Sequence, residues 1–300
     1  MQVLILSARA GWHTDELCRA LATRGHHARL APYESLVARI GGATDSVFDV
    51  DAVLARIIPN GSLEQVIYRV DALHWIEDKG IRVVNSARAI ERAVDKFYTT
   101  ALMHQAGLPV PETVVCERAD DAMDAIRRML AGGGDVIIKP IFGSMGHGLV
   151  RVGDVDVAWR VVRPLEQMRS VFYVQRAIEH GGRDVRLFVV GQRVVGAIER
   201  IAPDGDWRTN VARGGTARPI DVSPEWHDYA VRATEIVGAD YAGVDILESH
   251  SGESFVLEVN GIPGWQGLQT ATGVDVATGI VELVEALVRR GQLAAAEVHA

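Results

Sequence analysis

Cysteine is nearly missing from this chain. The 300 residues hold two, Cys18 and Cys116, far apart and outside any C-x-x-C pattern. That excludes a disulfide framework and a thiolate zinc site, and it fits a reducing cytoplasm. Long apolar runs are missing too. Nowhere do about 18 apolar residues follow one another, so no membrane-spanning helix is expected. The opening MQVLILSARAGWHTDEL has no basic n-region and reads as a strand rather than a secretory signal. Positive charge is in deficit: 31 Lys and Arg stand against 39 Asp and Glu, a formal net charge of −8. With no basic stripe, a nucleic-acid surface is not expected. Familiar catalytic signatures are also absent. There is no G-x-x-x-x-G-K-[ST] and no H-E-x-x-H, and the glycines around Ser144 are wrongly spaced for a nucleophile elbow. The ten histidines are scattered and form no Ser-His-Asp or Cys-His constellation.

What is present is ordinary globular composition, 48% hydrophobic and 23% charged, in a chain long enough for one elaborate domain or two to three small ones. VLIL (3–6), HARLAPY (27–33), DAVLARI (51–57) and IRVVN (81–85) read as strands separated by helical segments. Thr14 is the expected N-cap of the first helix and Gly25 its stop. This βαβ alternation predicts a small parallel sheet closing near residue 90. A helix then starts near Asp95, and the remainder is more antiparallel. It includes a hairpin across Gly191-Gln192, a helix over 224–238, the strand pair YAGVDILE and SFVLEVN, and a last helix over about 275–290.

The strand pair carries chemistry. If its register is symmetric about the turn holding Gly252, Asp245 faces Glu258 and Gly243 faces Asn260. Residues two apart share a face, so Asp245, Glu258 and Asn260 project to one side while Val244, Ile246, Leu257 and Val259 pack on the other. Gly243 leaves space beside Asn260. Carboxylates with Cβ atoms about 5 Å apart repel by roughly 3 kcal/mol at an effective dielectric near 20. A divalent cation between them reverses the sign, and two carboxylates with an amide oxygen suit Mg²⁺ or Mn²⁺. The alternative is a solvated hairpin face, and a one-residue slip would undo the pairing.

Other groups suit phosphate. In VIIKPIFGSMGHGLV, Lys139 ends a buried strand and a glycine loop follows, a point charge beside backbone N–H groups that can approach closely. The bland alternative is an ordinary turn. Lys96 sits in the first turn of its helix, against the helix dipole, or is simply a surface lysine. Asp184 and Arg186 share a strand face. The loop GDWRTNVARGG carries Arg208, Asn210 and Arg213, either for anion recognition or as a solvated loop.

In their order along the chain, DKFYTTALMHQAGLPVPET, VIIKPIFGSMGHG, VQRAI with RDVRLFVVG, GDWRTNVARGG, and AGVDIL with FVLEVNGIPGWQGLQ resemble the ATP-grasp ligases. The closest likeness is to the RimK-type alpha-L-glutamate ligases, over about residues 1–290. The resemblance implies an α/β fold, α+β in its C-terminal part. This is the ATP-grasp fold, with a leading parallel βαβ domain (1–92), a central small lobe (93–175) and a C-terminal lobe (176–300) enclosing ATP. It implies that Lys96 and Lys139 contact ATP and that Gly143, Ser144, Gly146 and Gly148 form a mobile flap. Gln175, Arg176, Ala177 and Ile178 would be a hinge meeting adenine through its backbone, and Asp184 would take the ribose hydroxyls. Arg208 and Asn210 would lie near the phosphates, and Asp245, Glu258 and Asn260 would bind two Mg²⁺ or Mn²⁺ ions. Arg208 and Arg200 are the implied catalytic residues, Arg200 as a grip on the acyl phosphate.

Two departures stand out. The hinge reads Q-R-A-I where such ligases tend to have Q-E-Y-I, which puts adenine contacts by the Arg176 and Ala177 side chains in doubt. The flap carries His147 where Lys or Arg is more usual.

The implied chemistry is amide formation through an acyl phosphate, with no protein nucleophile. The implied partners are a small-molecule carboxylate acceptor and an amino acid, glutamate being the expected amine. The flap KPIFGSMGHG and the ending NGIPGWQGLQ look more like relatives that extend C1-carrier or pterin-type cofactors. The alternatives are a non-catalytic ATP sensor and modification of a protein C-terminus. The acceptor is expected against residues 8–16 and the segment after Asn260. Trp12 and Trp265 there are read first as packing residues. A homo-oligomer is left open.

Overall fold

A computed structural model describes residues 1–41, 49–143, 148–209 and 214–298, with side chains to residue 293. Three sheets organise these residues. The first holds β1 (Gln2–Leu6), β2 (His27–Ala31), β3 (Ala52–Ala55) and β4 (Arg82–Val84), all parallel in the order β2-β1-β3-β4. From Val3 to Leu6 strand β1 is apolar because both faces are covered. Val3 and Ile5 pack with Leu17, Ala20 and Leu21 of α1 (Trp12–Thr23), while Leu4 and Leu6 pack with Ala72, Leu73 and Ile76 of α2 (Leu63–Asp78).

Helix α1 begins earlier than its sequence suggests. Gly11 is the N-cap, and Thr14 lies a turn inside. The Thr14 hydroxyl accepts from Gly11 N at 2.9 Å and donates to Gly11 O at 2.7 Å, which secures the turn from within. A short helix absent from the sequence expectations, α3 (Ala87–Val94), follows β4, with Ser86 Oγ accepting from Ala89 N. Asp95 then caps α4 (Lys96–Gln105), accepting from Tyr98 N at 3.0 Å.

The second sheet, in the order β5-β8-β6-β7, is antiparallel. It comprises β5 (Thr113–Cys116), β6 (Val136–Lys139), β7 (Val150–Val152) and β8 (Phe172–Arg176). Alternation decides its faces. Val136, Ile138, Phe172 and Val174 pack under α5 (Ala119–Ala131) and α6 (Val155–Gln167), leaving Lys139, Tyr173 and Gln175 on the opposite face.

The third sheet is antiparallel in the order β11-β10-β9-β12-β13. Its strands are β9 (Arg183–Val190), β10 (Arg193–Ile201), β11 (Thr216–Pro219), β12 (Tyr241–Glu248) and β13 (Ser254–Asn260). On one face Val185, Leu187, Val189, Ala242, Val244 and Ile246 pack with Ala230, Ala233 and Val237 of α7 (Pro224–Val237). Met103 of α4 joins the same core. The other face changes character along the strands. Phe188, Val190, Ile198 and Tyr241 share a core with Val3, Ile5, Trp265, Leu268 of α8 (Gln266–Thr272) and the last helix, α9 (Val276–Val298). Toward the other end of the same strands stand Asp184, Arg186, Arg200, Asp245 and Glu258. That polar end is where the site forms. Helix α9 runs well past the expected residue 290 and is tied to α1 by Arg24–Glu285 at 2.8 Å.

Asn85, fully buried, pins the first sheet to the third. Its Nδ2 donates to Tyr241 O (2.8 Å) and Gly261 O (2.5 Å), and its Oδ1 accepts from Asp240 N (2.6 Å) and Tyr241 N (3.0 Å). Every donor and acceptor of the amide is used, so Asn85→Leu strands four backbone groups in a dry interior. The expected result is a loss of about 2–4 kcal/mol in urea unfolding, a midpoint shift well beyond that of a surface substitution. Among the described residues, no helix is long and apolar enough to cross a membrane.

Candidate active site

The acidic hairpin has the expected register where it matters. Asp245 pairs with Glu258 and Gly243 with Asn260. A bulge then shifts the pairing by one, so Ile246 faces Val256. Consequently Val256, and not Leu257 as alternation predicts, joins Val244, Ile246 and Val259 in the core, and Leu257 turns to line the cleft. The space above Gly243 is also used differently from expectation. A Cβ there would lie 3.0 Å from Pro263 Cβ, so the glycine admits the turn after β13.

Arginines compensate Asp245 and Asp184. Arg186 grips Asp245 through two bonds of 2.6 Å. Arg200 holds Asp184 through bonds of 2.7 and 2.5 Å and reaches Asp245 at 2.9 Å. Burial alone would raise the Asp245 pKa, but Arg186 and Arg200 outweigh it and hold the carboxyl below its usual range. Burial likewise opposes charge on Arg200, and Asp245 and Asp184 overcome it, raising the guanidinium above its ordinary value. Assigned from its neighbours, the Asn260 amide donates to Glu258 Oε1 at 3.1 Å and accepts from Arg186 Nη2 at 3.0 Å. Arg186, which sequence reasoning placed on this face without a role, is thus the hub between Asp245 and Asn260.

Opposite this face lie the two lysines. Lys96, Thr100, Lys139, Tyr173 and Glu258 line one small cavity of about 10 Å³, room for little more than a water. Lys139 donates to Gln175 Oε1 at 2.6 Å. Burial pushes its pKa down to about 8, with Glu258 opposing the shift and Lys96 adding to it. Burial also lowers the Lys96 pKa, against Glu258 and Asp95. The Lys96 ammonium donates to Gly143 O at 2.6 Å, at the start of the glycine loop. Gly143 and Gly148 take positive φ values of 147° and 75°. Ser144, Gly146, His147, Asn210 and Arg213 lie outside the described residues.

The remaining expected residues are distributed as follows. Arg176 points away from the Gln175 face because neighbours on a strand alternate. It grips Glu112 at 2.9 and 2.6 Å and donates to Met129 O and Gly133 O at 3.1 Å. Ala177 N donates to Asp135 O at 2.9 Å, and Ile178 follows just beyond β8. Asp184 accepts from Thr209 Oγ1 at 2.6 Å as well as from Arg200. Arg208 is engaged by Asp206 of its own loop at 2.9 Å. Trp265 is 1% exposed and packs on His13, Trp12 and Phe188, with Arg56 over its ring at 4.8 Å, as a packing residue should. His13 Nε2 accepts from Trp265 N, and burial followed by Arg56 lowers the His13 pKa to about 4, so the ring is neutral.

A carboxylate pair and an amide on one sheet, facing Lys139 at the end of β6 and Lys96 in the first turn of α4, make the arrangement of an ATP-grasp ligase. Residues 93–284 match the RimK-like ATP-grasp domain, and the chain belongs to that family. It is 35% identical to the "Tetrahydromethanopterin:alpha-L-glutamate ligase" of Methanosarcina acetivorans, over 79% of this chain and 80% of that one. It is 33% identical to the "Probable alpha-L-glutamate ligase" of Nitrosococcus oceani, over 97% of this chain and 98% of that one. Among solved structures, the RimK domain ATP-grasp protein of Sphaerobacter thermophilus superposes with a TM-score of 0.75 at 25% identity, over 94% of this chain and 99% of that one. Proteins of this class use ATP with a divalent cation.

Proposed function

We propose that this chain adds glutamate to a carboxylate of a small-molecule cofactor of the C1-carrier or pterin type, using ATP. The observation that carries the reading is the convergence of Lys96, Lys139 and Glu258 on one cavity, with Asn260 and Asp245 beside Glu258. The named activity of the tetrahydromethanopterin relative supports the substrate class. In this reading the chain divides into 1–92, 93–175 and 176–300, although α4 packs on the third sheet.

The donor set fits a magnesium or manganese ion. Among the described residues, no group of three or more His, Cys, Asp and Glu side chains could hold a metal. A cation here would therefore take Glu258, Asp245 and the Asn260 amide oxygen, with phosphate oxygens completing its shell. A carboxylate has about four acceptor sites, so Asp245 keeps capacity beyond its arginine bonds. When bound, the ion neutralises phosphate charge and orients the triphosphate.

The chain's own residues do the rest. Lys139 and Lys96 bring positive charge to the phosphates. An acceptor carboxylate oxygen attacks the γ-phosphorus, the bond to the ADP oxygen breaks, and an acyl phosphate forms. The glutamate amine then attacks the acyl carbon, phosphate leaves with its bonding oxygen, and the amine proton passes to solvent. In this account Arg200, held by two carboxylates, grips the departing phosphate, and Arg208 serves once released from Asp206. Gly143, Ser144, Gly146 and Gly148 cover the triphosphate. Gln175, Arg176, Ala177 and Ile178 offer backbone to adenine, and Asp184 meets the ribose.

The test is incubation of the chain with ATP, Mg²⁺, glutamate and a metabolite pool, followed by mass spectrometry. A pterin- or C1-carrier-like compound gaining a glutamyl residue is the expected result. Tight ATP binding with no ADP release under any acid would assign a sensor instead.

A further inference from the structure

The buried side chain of Gln175 is oriented by a chain of hydrogen bonds whose direction can be worked out. Thr113 Oγ1 donates its proton to Pro111 O at 2.8 Å, so toward Gln175 it can only accept, and it takes one Nε2 hydrogen at 2.9 Å. The second Nε2 hydrogen goes to the Tyr173 hydroxyl at 3.2 Å. The Tyr173 hydroxyl also shares a hydrogen bond of 2.8 Å with Thr100 Oγ1, in which either group can donate. Both amide hydrogens are then committed, and Gln175 Oε1 is left facing the Lys139 ammonium at 2.6 Å. The Tyr173 ring lies beneath that same ammonium, 5.6 Å from its centroid.

The partners belong to two bodies of packing. Thr113, Lys139, Tyr173 and Gln175 stand on β5, β6 and β8 of the central sheet. Thr100 stands on α4, whose Met103 is buried in the core of the third sheet. Lys96 lies one turn before Thr100 on the same helix face. The Tyr173–Thr100 bond therefore joins the sheet carrying Lys139 to the helix carrying Lys96, at the wall of the cavity that Glu258 also lines.

We propose that Gln175 and Tyr173 are positioning residues: Gln175 holds the Lys139 ammonium at the cleft, and Tyr173 links that hold to the seating of α4 against the central sheet. The inference rests on the reading of this cleft as the ATP site. It assigns the hinge glutamine a side-chain task separate from any backbone contact with adenine. Tyr173 would matter through its hydroxyl, not merely its bulk.

The experiment is calorimetric titration of the full chain with AMP-PNP and Mg²⁺, alongside thermal midpoints. The variants are Tyr173→Phe, Thr100→Val, their double mutant and Gln175→Leu. Tyr173→Phe removes the phenol's bonds to Thr100 and to Gln175, and Thr100→Val removes the first of these from its other side, each with little change of shape. Each is expected to weaken binding about 3- to 10-fold, with the double mutant no weaker than the worse single, because both remove the same bond. Gln175→Leu is expected to weaken binding by at least as much. Unchanged affinity with a lowered thermal midpoint in the single variants would show a purely structural role and overturn the proposal. Additive losses would overturn the link between Tyr173 and Thr100. Wild-type chain that fails to bind AMP-PNP would remove the ATP-site reading itself, and this inference with it. Wild type that binds normally beside unaffected variants would remove the inference alone.

Discussion

Glu258→Gln is expected to lower turnover about a thousandfold while leaving the chain folded. The substitution keeps the side chain's length and shape at a half-buried strand position. It removes the negative charge that lines the cavity beside Lys96 and Lys139. It also removes the carboxylate that, with Asp245 and Asn260, would hold the cation. Folding should not suffer, because the amide keeps an oxygen able to accept from Asn260, and Asp245 remains compensated by Arg186 and Arg200. ADP release under saturating substrates measures the first part and a thermal midpoint the second. Turnover at the wild-type level would mean that the cation is held elsewhere.

The second large effect belongs to Lys139. Lys139→Ala is expected to raise KM for ATP on the order of 100-fold, since a desolvated ammonium near phosphate is worth far more than an exposed one. Its pKa, about 8, adds a signature. Above pH 8 the free chain loses this charge, so wild-type ATP affinity should fall as pH rises through that value, and the alanine variant should not show the fall. Stability should move the other way. The unfolded lysine keeps its proton up to its ordinary value near 10.5, so between pH 8 and 10.5 the unfolded state binds more protons and wild-type stability rises with pH. An ATP affinity independent of pH in the wild type, or unchanged in the variant, would count against this placement of Lys139.

The sequence discloses these two residues for different reasons. The pairing of Asp245 with Glu258 is legible because the register symmetric about Gly252 holds at the carboxylates, although the turn side of the hairpin is offset by one. The bulge that expels Leu257 from the core is not, since a bulge adds one residue with no compositional mark. Lys139 is legible as a strand-end lysine beside glycines. Gln175 is visible only as part of a hinge, because its side chain's task depends on Thr113 and Tyr173, brought together by strand pairing. Arg176 drew attention as an odd hinge residue, yet alternation turns it toward the end of α5 and Glu112, where it is structural.

Long-range polar contacts are the least legible of all. Asn85 at the end of IRVVN looks like any strand terminus, and its partner Tyr241 lies 156 residues away. Arg56 reads as one polar residue within the expected strand DAVLARI, but it is buried, with bonds to Tyr241 and Pro263. No local pattern encodes such partners. The parallel leading sheet, by contrast, is written in the repeated apolar runs, and only its helix ends are misread. Thr14 resembles an N-cap because its hydroxyl does bond the helix start, from inside the first turn.

The most direct measurement follows ¹⁸O from the acceptor carboxylate, once the acceptor is found in the metabolite screen. Incubated with the chain, ATP, Mg²⁺ and glutamate, a labelled acceptor should deliver one ¹⁸O to inorganic phosphate for every amide formed, with ADP as the nucleotide product. Label that stays out of phosphate, or that appears in AMP, would contradict activation of a carboxylate by the γ-phosphate at this cleft.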